Sequence, residues 1–373
     1  MRYLIIGTGA LGSVFGGLMQ NAGQTVACLG RGEHFHYLTT RGLTITGIWG
    51  DFQLGPLIKA SAGETYDVIL LCVKSFDTEA ACRQLKGRLA PEGLIVSVQN
   101  GLGNLEIIAR QFGPERTIGA RVIFGAQVNR PGLVTVTVYA DQVLLGAFGR
   151  EAPREKLPQL VADLNRAGIP AAAVADILPY IWGKVLYNCA LNPLGAILAA
   201  PYGDLGENAA TRELMRRVIE EIYQVAQAKG VHLLQADAPA YFQYFLECLV
   251  PPTAAHWPSM WQDLQAGRRT EIGALNGAIC RYGEALGIPT PYNDALSRLV
   301  RFLEVKAVHQ VGMKPGRGQD YLPGWPGRTL RRDGPAGDPG AGVAGGVGHI
   351  VIRLGMDHQG SAAGLKQRIL AGP

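Results

Sequence analysis

Met1-Arg-Tyr-Leu-Ile-Ile-Gly7-Thr8-Gly9-Ala10-Leu11-Gly12 opens the chain, and the reading of this stretch decides the fold. An apolar run, Tyr3 to Ile6, gives way to Gly7-x-Gly9-x-x-Gly12, after which Ser13 to Gln20 reads as a helix. Strand, tight turn and helix start form the setting in which a glycine triplet binds a dinucleotide pyrophosphate. Gly7 permits the turn, Gly9 lets the backbone approach the phosphates, and Gly12 lets helix and strand pack closely. The helix N-terminus adds unpaired N–H groups and a partial positive charge facing the anion. In a chain with 50 glycines the triplet alone says little; directly after a buried strand it says much.

A carboxylate that would hold a ribose 2′-hydroxyl is expected about 20 residues past the glycines, at the end of the second strand. That strand is Thr25 to Leu29, and it is followed by Gly30-Arg31-Gly32, with an arginine and no acid. A guanidinium fork matches phosphate oxygens and stays charged at any relevant pH. Arg31 therefore points to a 2′-phosphate, hence to NADPH/NADP+ rather than NAD(H).

Working outward, residues 1–175 alternate strand and helix signals, the pattern of a parallel sheet covered by helices. Short strands are expected at 44–48 and 51–54, a fully buried strand at 67–73, a helix at 77–89 and a strand at 94–98. Strand signals follow at 121–125, 133–138 and 142–145, with Arg130-Pro-Gly132 as a hairpin turn, then a helix at 154–167. Over 176–310 strands vanish, and helices are expected at 177–199, 211–229, 238–249, 259–265, 270–286 and 293–309. The fold class is α/β: a Rossmann-type dinucleotide-binding domain followed by an all-α C-terminal domain, with a ligand cleft between them. Residues 311–373 hold 16 Gly and 6 Pro and read as a weakly ordered tail.

Composition narrows the function. The tail carries eight Lys/Arg against four Asp, so it accounts for +4 of the net charge of +5 and leaves the body nearly neutral. Nothing there suggests a nucleic-acid surface. No apolar run is long enough for a membrane span, and no leader pattern is visible. Six scattered cysteines, with Cys28, Cys72 and Cys189 in apolar segments, read as reduced thiols of a cytoplasmic protein. The seven histidines show no metal-site spacing, His34 and His36 read as loop residues, and no metal is expected.

Lys184, Asn188 and Asn192 recur every four residues within 181–193 and so share one face of an otherwise apolar helix. Buried polar groups need partners, and either other protein groups or a polar ligand can supply them. Lys74 and Asn100 follow the carboxyl ends of two predicted parallel strands, where sheets of this class bind ligands. Asn100 lies in Gln99-Asn-Gly-Leu-Gly103, whose glycines would allow close approach to a bound ring or ribose. Ser259, Glu271 and Asn276 lie further on, with Thr270 as a helix cap that places Glu271 in the first turn.

These blocks resemble the ketopantoate reductases (2-dehydropantoate 2-reductases) over about residues 1–310. The resemblance rests on Gly7 to Gly12, Gly30-Arg31, Cys72-Val-Lys74, Gln99 to Gly103, Trp182 to Pro193, Ser259-Met-Trp-Gln-Asp and Thr270-Glu271. It implies NADPH-dependent reduction of 2-dehydropantoate to (R)-pantoate. Lys184 would be the general acid, and Glu271 would sit near it and near the nicotinamide. Gly7, Thr8, Gly9, Ala10, Leu11, Gly12, Arg31, Lys74, Asn100 and Ala126 would hold the cofactor. Asn188, Asn192 and Ser259, with Asn100, would hold the small 2-oxo acid by its carboxylate and hydroxyls. One departure is visible: His256 stands three residues before the serine, where relatives often carry Asn. The alternatives are a reductase of another 2-oxo acid and a non-catalytic NADPH-sensing protein. A homodimer would follow from an exposed apolar face on the late helices, which one chain's pattern does not separate from core.

Overall fold

In the computed structural model Arg2–Ile6 (β1) is an interior strand of the sheet, and its alternate residues feed two cores. Tyr3 and Ile5 pack on one face with Val14, Phe15 and Leu18, while Leu4 and Ile6 pack on the other with Ile69, Leu71 and Ile95. A parallel strand covered on both faces requires such an uninterrupted apolar run. The structure describes residues 1–149 and 156–312. Expectations for the tail beyond residue 312, and for the start of the 154–167 helix, lie outside them.

After β1 come Ala10–Asn21 (α1), Thr25–Leu29 (β2), Gly32–Thr40 (α2), Leu43–Gly47 (β3), Phe52–Leu54 (β4), Ile58–Lys59 (β5) and Tyr66–Leu71 (β6). Then follow Thr78–Gln84 (α3), Leu89–Ser97 (β7), Asn104–Phe112 (α4), Thr117–Arg130 (β8), Leu133–Ala147 (β9), Lys156–Arg166 (α5) and Ala171–Ala173 (β10). The sheet runs β4-β3-β9-β8-β7-β6-β1-β2-β5, with β10 beside β9. From β5 to β8 neighbouring strands are parallel; β8 and β9 form an antiparallel hairpin. β1 is followed through α1 by β2 on one side and is flanked by β6 on the other, so the strand order reverses there. The crevice at the carboxyl ends of β1 and β6 is where open sheets of this type bind ligands.

Beyond residue 177 the described chain is helical: Leu178–Leu198 (α6), Tyr202–Glu207 (α7), Ala209–Ala228 (α8), Ala238–Tyr244 (α9), Ser259–Gln265 (α10), Asn276–Leu286 (α11) and Pro291–Gly312 (α12). Trp182, Val185, Leu186 and Cys189 of α6 are buried with Met215, Ile219, Ile222 and Val300 in a separate core.

Several expectations are corrected. His34 and His36 lie on α2, not in a loop. The helix expected at 77–89 stops at Gln84, and Leu89 already belongs to β7. The strand signals between 121 and 145 merge into the long β8–β9 hairpin, bent at four register shifts. Residues 245–249 widen into a π turn rather than continuing α9. The helix expected at 270–286 is split: Ile272–Ala274 form a 3-10 turn, and Leu275 (φ −100°, ψ −112°) breaks it before α11. The break frees the Ala274 carbonyl to accept from Leu102 N at 2.7 Å, which docks the 99–103 turn onto the helical half. Gly101 is needed for that contact, since a Cβ there would lie 2.4 Å from Ala274 O. Its close approach is thus to protein, not to a bound ring.

Candidate active site

One cavity of about 1040 Å³ runs from the glycine turn to α6 and on toward α10. Gly7, Thr8, Gly9, Ala10, Leu11, Arg31, Lys74, Asn100, Ala126, Lys184, Asn188, Asn192, Ser259 and Glu271 all line it. Gly12 does not, and its role is packing: a Cβ there would lie 2.0 Å from Gly7 O. A Cβ on Gly9 would meet nothing within 4 Å. The turn therefore leaves free space above Gly9, in front of the N-terminus of α1, as a pyrophosphate cradle requires.

Lys184 Nζ donates to Asn100 Oδ1 at 2.6 Å and to the backbone carbonyl of Val122. Asn100 Nδ2 faces Glu271 Oε2 at 3.5 Å. An ammonium only donates and a carboxylate only accepts, so the Asn100 amide can sit in one orientation alone. Burial lowers the Lys184 pKa from the ordinary 10.5 to about 8, the nearby Arg121 charge pushes the same way, and Glu271 opposes them. Glu271 also accepts from Ser75 N at 3.1 Å and lies 3.6 Å from Lys74 Nζ. Lys74 Nζ in turn pairs with Asp263 Oδ2 at 2.9 Å. Burial alone would lower the Lys74 pKa, but Glu271 and Asp263 together raise it. Glu271 is fixed by the turn before α11, not by a helix's first residues.

The polar stripe of α6 depends on a helix that tolerates a proline. Pro193 has no N–H for the Cys189 carbonyl, the loss expected of an interior proline. Asn276 Nδ2 donates to that carbonyl at 3.1 Å instead. Thus Asn276 acts by holding α6 together. Asn188 and the Ser259 hydroxyl at the start of α10 line the cavity and have no side-chain hydrogen-bond partner among the described residues. Asn192, only 5 % exposed, accepts from the Tyr202 hydroxyl through Oδ1, which leaves its amide N–H₂ as the group available to a ligand.

At the other end, Arg31 Nη2 lies 2.8 Å from Asp77 Oδ2, with its side chain 87 % exposed. His34 Nδ1 accepts from Gly132 N at 3.1 Å, so the neutral ring carries its proton on Nε2, facing Ser13 Oγ at 3.0 Å. The residues not anticipated from sequence are Asp77, Arg121, Tyr202 and Asp263. Asp77, Arg121 and Asp263 act through partners 20 or more residues away, and Tyr202 reaches Asn192 from the next helix, so local spacing carries no trace of these pairs. Among the described residues no group of three metal-ligating side chains occurs, and no helix is long and apolar enough to cross a membrane. All six cysteines are free.

A glycine turn at a sheet's switch point, facing a helix-borne lysine across a cleft, defines a dinucleotide-dependent oxidoreductase of Rossmann type. Comparison with known proteins gives the family. Residues 3–150 match the family model "Ketopantoate reductase PanE/ApbA", and residues 176–304 match "Ketopantoate reductase PanE/ApbA C terminal". The chain is 38 % identical to the 2-dehydropantoate 2-reductase of Aquifex aeolicus over 308 residues, 82 % of this chain and 97 % of the relative. Among solved structures it is similar to a PanE/ApbA family ketopantoate reductase from Ralstonia eutropha (33 % identity, TM-score 0.73, 82 % and 99 % covered). A D-mandelate dehydrogenase bound to NADH and anilino(oxo)acetate is also similar (26 % identity, TM-score 0.74, 82 % and 99 % covered). This chain belongs to the ketopantoate reductase family.

Proposed function

We propose that this protein reduces 2-dehydropantoate to (R)-pantoate with NADPH, and that Lys184 is the proton donor. The observation that carries the reading is the Lys184 ammonium, clasped by Asn100 Oδ1 and the Val122 carbonyl in the cavity that the glycine turn also lines. The cofactor class is a nicotinamide dinucleotide, which supplies hydride to the substrate C2 when bound. Gly7 to Leu11 would cradle its pyrophosphate, Arg31 would exchange Asp77 for the 2′-phosphate, and Lys74, Asn100, Ala126 and Glu271 would line its path.

As the carbonyl oxygen gains charge, Lys184 donates the proton that completes the alcohol. Its lowered pKa makes it a stronger acid than an ordinary lysine while leaving it mostly protonated at neutral pH. Such a donor is worth on the order of 10² to 10⁴ in rate. Asn100 aims the ammonium and links it to Glu271. Asn188, Asn192 and Ser259 offer unpartnered polar groups to the rest of the substrate. Residues 1–175 and 176–310 would act as two domains that close on the bound pair and exclude water. A second copy would pack on α12, which exposes Leu299 and Phe302.

The test is loss of reduced-nicotinamide absorbance when 2-dehydropantoate is added to protein and NADPH. A second reading, reduction of a bulkier 2-oxo acid, is favoured by Tyr180, Tyr187 and Tyr244 on the cavity wall and by the likeness to a D-mandelate dehydrogenase. Turnover of aryl 2-oxo acids but not of 2-dehydropantoate would select it. A cofactor-sensing role leaves the proton donor without use, and absence of turnover with every 2-oxo acid would select that role.

A further inference from the structure

Arg121 lies on β8 and is only 7 % exposed, yet it lines the cavity beside Lys184. Both hydrogen bonds found for its guanidinium leave from Nη2, to Asp141 Oδ2 at 2.5 Å and to Gln142 O at 3.3 Å. Nε is buried with no partner. Nε is sealed from the cavity as well, so the atom free to meet a ligand is Nη1, which has no partner among the described residues and is not sealed. A charged donor left open at a cavity wall points to an acceptor that arrives with a ligand. Asp141, the compensating carboxylate, does not line the cavity.

Position along α6 then says which part of a ligand is met. The Arg121 guanidinium carbon lies 5.7 Å from the centroid of the Tyr180 ring. Tyr180, Lys184, Asn188 and Asn192 follow one another at four-residue steps, about 6 Å apart along the helix axis. The sequence along this face is therefore a guanidinium over Tyr180, then the ammonium, then two amides. Lys184 Nζ also donates to the carbonyl of Val122, the residue next to Arg121, so the two cations are neighbours.

We propose that Arg121 binds the α-carboxylate of the 2-oxo acid and so sets its direction in the site. The carboxylate would lie at the Tyr180 end, the reacting carbonyl at Lys184, and the remaining chain over Asn188 and Asn192. This rests on the reading that the substrate is a 2-oxo acid. In such a molecule one bond joins the carboxylate to the reacting carbonyl, so a carboxylate site has to adjoin the proton donor, as Arg121 does. With Nη2 held by Asp141 and Gln142, Nη1 offers a carboxylate oxygen a charge-assisted N–H donor, which neither a neutral amide nor the Ser259 hydroxyl can do. The amides of Asn188 and Asn192 suit the hydroxyl-bearing end.

The experiment is calorimetric titration of oxamate, an unreactive 2-oxo acid analogue, into the full-length protein with and without NADPH, for wild type, Arg121→Gln and Arg121→Lys. Turnover of a 2-oxo acid is compared with that of its methyl ester. Arg121→Gln is expected to weaken oxamate by about 10- to 100-fold, the usual effect of losing a charge-assisted pair. Acid-over-ester preference should fall by a similar factor, with NADPH affinity and the thermal midpoint unchanged. Arg121→Lys, which keeps the charge but not a donor at the place of Nη1, should fall between the two. If Arg121→Gln does not fold, Arg121→Lys carries the test alone. Oxamate binding and acid-over-ester preference at the wild-type level in a folded variant overturn the proposal. Wild-type protein that binds oxamate through Arg121 yet reduces no 2-oxo acid would sink the reductase reading and leave the anion site standing.

Discussion

Lys184→Met gives a prediction with a sign that an ordinary structural lysine would reverse. The ammonium is held by two neutral acceptors, Asn100 Oδ1 and the Val122 carbonyl, and burial lowers its pKa from 10.5 to about 8. The folded state thus binds the proton less tightly than the unfolded chain, so the charged lysine opposes folding below about pH 8. That penalty is relieved as pH rises from about 8 toward 10.5, because over this window the unfolded state holds more protons than the folded one. With these values the relief between pH 7 and pH 10 is on the order of 2 to 3 kcal/mol. The variant has no such term. Urea unfolding of both proteins at pH 7 and pH 10 should show wild type gaining on the order of 2 to 3 kcal/mol relative to Lys184→Met over that interval. Orphaning the two acceptors costs about the same at either pH and drops out of the difference. A wild-type advantage that stays constant, or shrinks, from pH 7 to pH 10 would refute the claim that this lysine is buried without a dominant counter-charge.

Three further outcomes follow from the cleft. Gly9→Ala should fold with unchanged stability and lose dinucleotide affinity by at least about tenfold, whereas Gly12→Ala should lose about 1–3 kcal/mol of stability; thermal melts and cofactor titration separate them. Arg31→Ala should raise KM for NADPH far more than KM for NADH, and equal effects would remove the 2′-phosphate assignment. Tyr202→Phe frees the Asn192 amide to rotate, so substrate KM should rise several-fold with kcat nearly constant, while stability falls by about 1 kcal/mol for the lost buried hydrogen bond. Steady-state kinetics that show kcat falling instead would mean that Tyr202 serves the chemical step.

How much of this was legible in the sequence depends on how far apart the partners lie. The glycine turn was readable because strand, turn and helix are contiguous, and the structure gives Gly7, Gly9 and Gly12 separate tasks that the spacing implies. The Lys184–Asn188–Asn192 face was readable because one helix sets it. Spacing left open who satisfies those groups, and the structure answers differently for each: Asn100 for the lysine, Tyr202 for Asn192, no protein group for Asn188. Glu271 was anticipated, but in the wrong setting. The sequence pattern from 270 to 286 is helical throughout, and only the docking of Ala274 O onto Leu102 N, 172 residues away, breaks it. Arg121 was invisible for the same reason. In the sequence it is one more strand residue, and its meaning comes from Asp141 across a bent hairpin and from Tyr180 on α6. His34 was misplaced because Gly30-Arg31-Gly32 reads as loop, whereas Gly32 is already the first residue of α2.

The most direct test of the central claim is the single-turnover rate of 2-dehydropantoate reduction by NADPH-loaded protein, wild type against Lys184→Ala. The account predicts a rate at least about a hundredfold slower in the variant, with NADPH affinity preserved. A variant that reduces the substrate at the wild-type rate would contradict it, and the proton would have to come from another group.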